Sequence, residues 1–128
     1  MLNVVTKEIL SDGGKLGMSD NTASKATAKM HFMLKSTPPR TTFHQDMTGE
    51  ERDIMLKHIT YWTDKQNQGI ALVFGPVLNP SAPHGLAIIE VENEAQVPKL
   101  IEEDPAVIAG IMKTEFYPMK AMLPKQHA

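Results

Sequence analysis

Thr48-Gly-Glu-Glu51 at one end and Gly69 at the other bracket a segment with helical period. The next five residues, Ile70-Ala-Leu-Val-Phe74, are an unbroken apolar run. Thr48 as N-cap with Glu51 three positions on has the form of a capping box, and a glycine after the last periodic residue is a natural C′ position. A long amphipathic helix that feeds directly into an apolar strand must bury its stripe on a sheet, so a layered architecture of helices on strands is required.

The flanking segments extend this unit. Before the helix, MHFMLKS (30–36) is apolar and imperfectly alternating. It reads as a strand that stops at Thr37-Pro38-Pro39, where two prolines remove backbone donors. RTTFHQDM (40–47) reads as a polar loop. After the helix, Ile70–Phe74 is expected to be buried on both faces and to end at Gly75-Pro76. Leu86–Val91 follows as the next strand, paired with it as a hairpin. Asn93 with Gln96 repeats the capping-box spacing for a second helix with apolar face Val97, Leu100 and Ile101, and Pro98 marks an irregular first turn. Asp104-Pro105 starts a short helix that ends at Gly110, with aspartate as cap and proline at N1. A last strand spans 112–117 and is expected to stop at Pro118.

The order β-α-β-β-α-β predicts an α+β fold, the ferredoxin-like plait, with a four-stranded antiparallel sheet and two helices on one face. The other sheet face needs cover, and a second copy of the chain is the simplest cover, so a homodimer packed through the sheet face is expected. Residues 1–28 are different: beyond a short apolar patch they are small, polar and aperiodic. They are expected to form a flexible extension ahead of a domain spanning 29–128.

Composition removes several functional classes. The 128 residues contain no cysteine, which excludes disulfides, thiolate nucleophiles and cysteine-ligated metals. A net charge of −2 provides no basic footprint for nucleic acid or an anionic membrane. No apolar run reaches the ~18 residues of a membrane span, and the N-terminus lacks the pattern of a secretory signal, so a cytoplasmic location is expected. Histidines 31, 44, 84 and 127 show no metal-ligand spacing, and no phosphate-binding or serine-nucleophile motif is present. Neither metal nor cofactor is expected.

The chemistry-bearing candidates are few. His58 falls with Ile54, Met55, Ile59 and Trp62 on the apolar stripe of the first helix. An imidazole there is either a structural group satisfied in the core or a general acid or base held by a partner that sets its tautomer. Asp104 is the best candidate partner. It also reads as a plain helix cap, and the two roles are compatible because a carboxylate can accept several N–H groups. Arg40, one of only two arginines, could clamp a substrate carboxylate or remain a solvated loop charge. Trp62, one turn beyond His58, reads first as core and second as a pocket edge. Phe74, Gly75 and Pro76 are candidate ligand contacts where the second strand ends.

Read together, a histidine in the first helix, Gly-Pro after the second strand and Glu-Asp-Pro after the second helix resemble the YCII-related proteins. These are small dimeric α/β-barrel proteins of ferredoxin-like topology. The resemblance covers most of residues 29–123. It implies a His–Asp active-site pair, which falls on His58 and Asp104, and one branch of the family resembles enzymes that eliminate chloride from chlorinated hydroxyquinols. The loop TPPRTTFHQDM departs from shorter family members, so no substrate carries over. The resulting expectation is a cofactor-free enzyme moving a proton on a small organic molecule by isomerase, lyase or dehydrohalogenase chemistry. The alternative is a non-catalytic ligand-binding or structural dimer module.

Overall fold

The computed structural model describes residues 28–125. The expected extension over 1–28 therefore lies outside them, apart from its last residue. The elements are β1 (Met30–Thr37), α1 (Phe43–Asp46), α2 (Gly49–Asn67), β2 (Ala71–Val77), β3 (His84–Val91), α3 (Gln96–Glu102), α4 (Pro105–Ile108) and β4 (Lys113–Met119). The four strands form one antiparallel sheet in the order β2-β3-β1-β4, the ferredoxin-like arrangement.

Local chemistry sets the limits of α2. The Thr48 hydroxyl accepts the Glu51 N–H at 3.0 Å and the Glu51 carboxylate accepts the Thr48 N–H at 2.9 Å, so both halves of the capping box form. Glu50 and Glu51 sit in the first turn and Lys65 in the last, the charge order that suits the helix dipole. Gly69 follows the C-cap Gln68 at φ +82°, a conformation that favours glycine and ends the helix.

The sheet has two unlike faces. On one, Phe32 pairs with Ile89 and Leu34 with Ala87, and all four are buried under α2 and α3 against Trp62, Val97 and Leu100. On the other, Val73, Ile88, Met33 and Tyr117 stand in register as one apolar row across all four strands. The expectation that the apolar run of β2 is buried on both faces is corrected here. β2 is an edge strand, and Val73 on its open face is 53% exposed.

The edge position also explains why Gly75-Pro76 lies inside β2 and Pro118 inside β4 rather than stopping them. An edge strand has one side without a partner, so a residue that lacks an N–H is tolerated there. In α3 only the return half of the expected cap is made: Gln96 Oε1 accepts the N–H groups of Glu92 and Asn93 at 2.7 and 3.1 Å. The helix starts at Gln96 with Ala95 as its cap, which places Pro98 in the first turn, where its missing N–H breaks no helical bond.

The loop before α2 is not wholly polar. Phe43 opens the single turn α1 and is fully buried, with Ala106 and Met112, in a second cluster edged by Met47, Ile54 and Met55. Burial of that ring contributes about 2–3 kcal/mol and anchors the loop beside α2.

Candidate active site

Asp104 is 1% exposed and is the only buried charged side chain among the described residues. A bare carboxylate would be very costly in that position, so its hydrogen bonds decide whether it can stay ionised. As N-cap of α4 it accepts the Ala106 N–H on Oδ1 at 2.9 Å. Trp62 Nε1 donates to Oδ2 at 2.9 Å, and His58 Nδ1 lies 2.8 Å from Oδ1 and 3.0 Å from Oδ2. Three donors thus converge on it, two from α2 and one from the first turn of α4. The cap and the histidine partner are the same carboxylate, doing both at once.

An ionised carboxylate only accepts, so the His58 proton sits on Nδ1 and Nε2 carries the free lone pair. Nε2 has no hydrogen-bond partner among the described residues, and the His58 side chain is 16% exposed. Tyr61 packs beside Trp62 and does not line the cavity. Its hydroxyl donates to the Leu100 carbonyl at 2.7 Å and its ring meets Trp62 edge-on at 5.2 Å. Burial, then the charges of Glu103, Asp104 and Asp64, push the Tyr61 phenol well above its ordinary range, so it stays a neutral donor.

His58 lines a cavity of about 170 Å³ between α2 and the helix-covered side of the sheet. Trp62, Phe74, Gly75 and Pro76 line the same cavity, so five of the seven residues singled out in the sequence meet there, with Asp104 immediately behind His58 and Trp62. The remaining lining is mainly apolar, with Met47, Met55 and Met112 prominent. An apolar lining lowers the local dielectric and strengthens charge interactions of the His58 ring.

Arg40 is the residue the structure places elsewhere. Its guanidinium donates to Asp46 Oδ1 at 2.8 Å, to the two Glu51 oxygens at 3.0 and 2.7 Å and to the Asp46 carbonyl at 3.0 Å, and it covers the Phe43 ring at 5.3 Å. It ties the loop to the first turn of α2 and does not line the cavity. The Arg40 bonds, then the Thr48 N–H, hold the Glu51 carboxyl down to about 2. The Thr42 hydroxyl, then Arg40, holds Asp46 below its ordinary range.

A depressed folded-state value means that the Glu51 contribution is fully present above its ordinary 4.5 and is lost as pH falls through about 2. Glu51→Gln keeps an acceptor for the Thr48 N–H but removes the charge. A lower melting temperature than wild type is expected at pH 7, with the gap closing between pH 4.5 and 2. The pair is still partly open to solvent, so the difference is modest and shrinks in high salt. A gap that stays constant down to pH 2 would show that the charge is not involved.

His44, Met47, Met55 and Met112 also line the cavity and were not singled out from the sequence as site residues. A signal for the loop members existed: Phe43 and Met47 are spaced i, i+4, the mark of a helical turn with an inward face.

Comparison with known proteins agrees with this architecture. The family model described as the YCII-related domain matches residues 30–120. Among solved structures, 5-chloro-2-hydroxyhydroquinone dehydrochlorinase from Burkholderia phenoliruptrix AC1100, in complex with 2,5-dihydroxybenzoquinone, is similar with a TM-score of 0.56. Identity is 20%, over 71% of this chain and 94% of that one. SnoaB, a cofactor-independent oxygenase from Streptomyces nogalater, matches with a TM-score of 0.42 and 8% identity, over 77% and 98% of the two chains. No curated protein sequence matches. The match over residues 30–120, on a ferredoxin-like sheet, places this chain in the YCII-related family.

Proposed function

We propose that this chain is a cofactor-free acid–base catalyst acting on a small organic molecule, with His58 Nε2 as the group that takes and returns the proton. The observation that supports it best is the asymmetry of the His58 ring: Nδ1 is anchored on a buried carboxylate, while Nε2 has no partner among the described residues and the ring lines an apolar cavity. Asp104 acts as a positioning residue. It holds the ring orientation and tautomer and stabilises the imidazolium formed when Nε2 accepts a proton.

Removal of a proton next to a carbonyl, tautomerisation and dehydrochlorination all fit this arrangement. In the last, the C–H or O–H proton passes to Nε2 and the electron pair left behind expels chloride. The fold shared with the dehydrochlorinase makes 5-chloro-2-hydroxyhydroquinone the first test compound, read by chloride release, with α-proton exchange of small ketones in D₂O as the broader screen. Turnover that depends on His58 supports the reading. Neither reaction in the wild-type protein, or turnover indifferent to His58, rejects it.

We also propose that two copies pack through the open sheet face, where the row Val73, Ile88, Met33 and Tyr117 would be covered. Val73 and Tyr117, at the two ends of that row, are 53% and 47% exposed in the single chain, so the row presents a continuous apolar surface. Ile88→Glu places a charge at the centre of that row. A halved mass by light scattering, with unchanged circular dichroism, is expected, and a wild-type protein that is already monomeric at micromolar concentration would refute the dimer.

A further inference from the structure

His44 shares the cavity wall with His58 but comes from a different element, the single turn α1. Its Nδ1 is buried with no hydrogen-bond partner, and neither of its ring nitrogens is bonded within the described residues. A proton on that buried nitrogen would be a donor stripped of water with nothing to receive it. Orphaned buried N–H groups are rarer in proteins than under-satisfied acceptors, and of the two ring nitrogens Nδ1 is the buried one, so the bare lone pair belongs there. The neutral ring therefore keeps its proton on Nε2. His58 has the reverse arrangement, with the proton on Nδ1 toward Asp104 and the lone pair on Nε2. One apolar cavity is thus lined by two imidazoles of opposite character, one an acceptor and one a donor.

The donor is held firmly. The neighbouring Phe43 is 0% exposed and packs with Ala106 and Met112, and the His44 ring meets the Phe43 ring edge-on at 5.9 Å. Arg40 covers Phe43 and binds Asp46 and Glu51, closing the loop on both sides of His44. A donor that needs no reorganisation is what a developing negative charge requires.

We propose that His44 Nε2–H is the donor that receives the oxygen of the substrate when His58 removes its proton. This rests on the acid–base reading of His58 and narrows the substrate to compact molecules with an enolisable carbonyl or a phenolic or quinonoid oxygen. In the step, a C–H or O–H bond breaks and the proton moves to His58 Nε2. The electron pair shifts onto the conjugated oxygen, and the resulting enolate or phenolate accepts a hydrogen bond from His44. No oxidant, reductant or further reactant enters.

Two measurements on the full chain test it. Long-range ¹H–¹⁵N correlation spectra of histidine-labelled protein, taken where the rings are neutral, should show His44 protonated on Nε2 and His58 on Nδ1. A proton on His44 Nδ1 overturns the assignment. Titration with 2,5-dihydroxybenzoquinone should then show affinity about 10-fold weaker in His44→Phe. Partial recovery is expected in His44→Gln, whose amide can still donate. Wild-type affinity in His44→Phe, or no binding by the wild-type protein, also overturns it. Failure of the acid–base reading shows separately, as unchanged turnover in His58→Gln while affinity still depends on His44. That result rejects the proton transfer and leaves His44 a ligand contact alone.

Discussion

Asp104→Ala is expected to cost the fold about 3–5 kcal/mol, the sum of three lost acceptor contacts less the relief of burying a carboxylate. The reason lies in what the alanine leaves behind. His58 Nδ1, Trp62 Nε1 and the Ala106 N–H all lose their acceptor, and a buried unsatisfied donor costs about 1–3 kcal/mol. Loss of the α4 cap is part of the same total, and relief of burying a carboxylate works against it. Against a domain stability of roughly 5–15 kcal/mol this is severe. Asp104→Asn keeps the volume and one acceptor oxygen but turns an NH₂ toward a donor, so an intermediate loss is expected. The chain has a single tryptophan, and its indole is bonded to Asp104, so its fluorescence reports this site directly. Urea titrations followed by that emission should show a lower midpoint at unchanged slope. A shift of less than about 1 kcal/mol in Asp104→Ala would mean that the three donors find other partners.

The second large effect is on rate. His58→Ala is expected to lose about 10²–10⁴ in turnover, the usual worth of one positioned acid–base group. Alanine also leaves Asp104 with one donor fewer, so stability and chemistry change together. His58→Gln separates them. Its amide can still donate to Asp104 but cannot carry a proton at neutral pH, so the fold should be largely kept while turnover falls by the same factor. The comparison is made well below both melting temperatures, with chloride release or α-proton exchange as the readout. Activity within a few-fold of wild type in folded His58→Gln sinks the catalytic role and leaves the pair a structural tie. Asp104→Asn should lower turnover without abolishing it, because the ring keeps its position in the cavity wall but loses the charge that stabilises the imidazolium.

Much of this molecule is written in short-range spacing. The Thr48–Glu51 cap joins residues three apart, Gly69 meets a positive-φ requirement adjacent to it in sequence, and Asp104-Pro105 starts a turn with its own side chain. Those features are local, so the order of elements and the inward position of His58 on the α2 stripe could be read directly. Other features belong to the sheet or to the packed whole. Gly75-Pro76 reads as a terminator to any local rule, and it continues a strand only because β2 is at the edge. Arg40 reads as free loop charge until folding brings Glu51 and Asp46 to it. His44 has no motif at all. It reaches the cavity because Phe43, next to it, is drawn into a cluster with Ala106 and Met112.

The His58–Asp104 pair stands at the boundary between the two kinds of information. Periodicity alone sets His58 facing inward, and resemblance to a family names the aspartate. The hydrogen bond itself spans 46 residues of chain, a separation that no spacing rule encodes. The sequence by itself determined where α2 and α4 begin, how the four strands and the longer helices follow one another and which side of α2 is buried, because backbone capping and hydrophobic period act within a few residues. Only the tertiary structure decided that Asp104 receives Trp62 as well as His58, that Arg40 is occupied elsewhere and that a second imidazole shares the cavity. Those outcomes depend on which distant side chains pack together when four strands and their helices close on a common core.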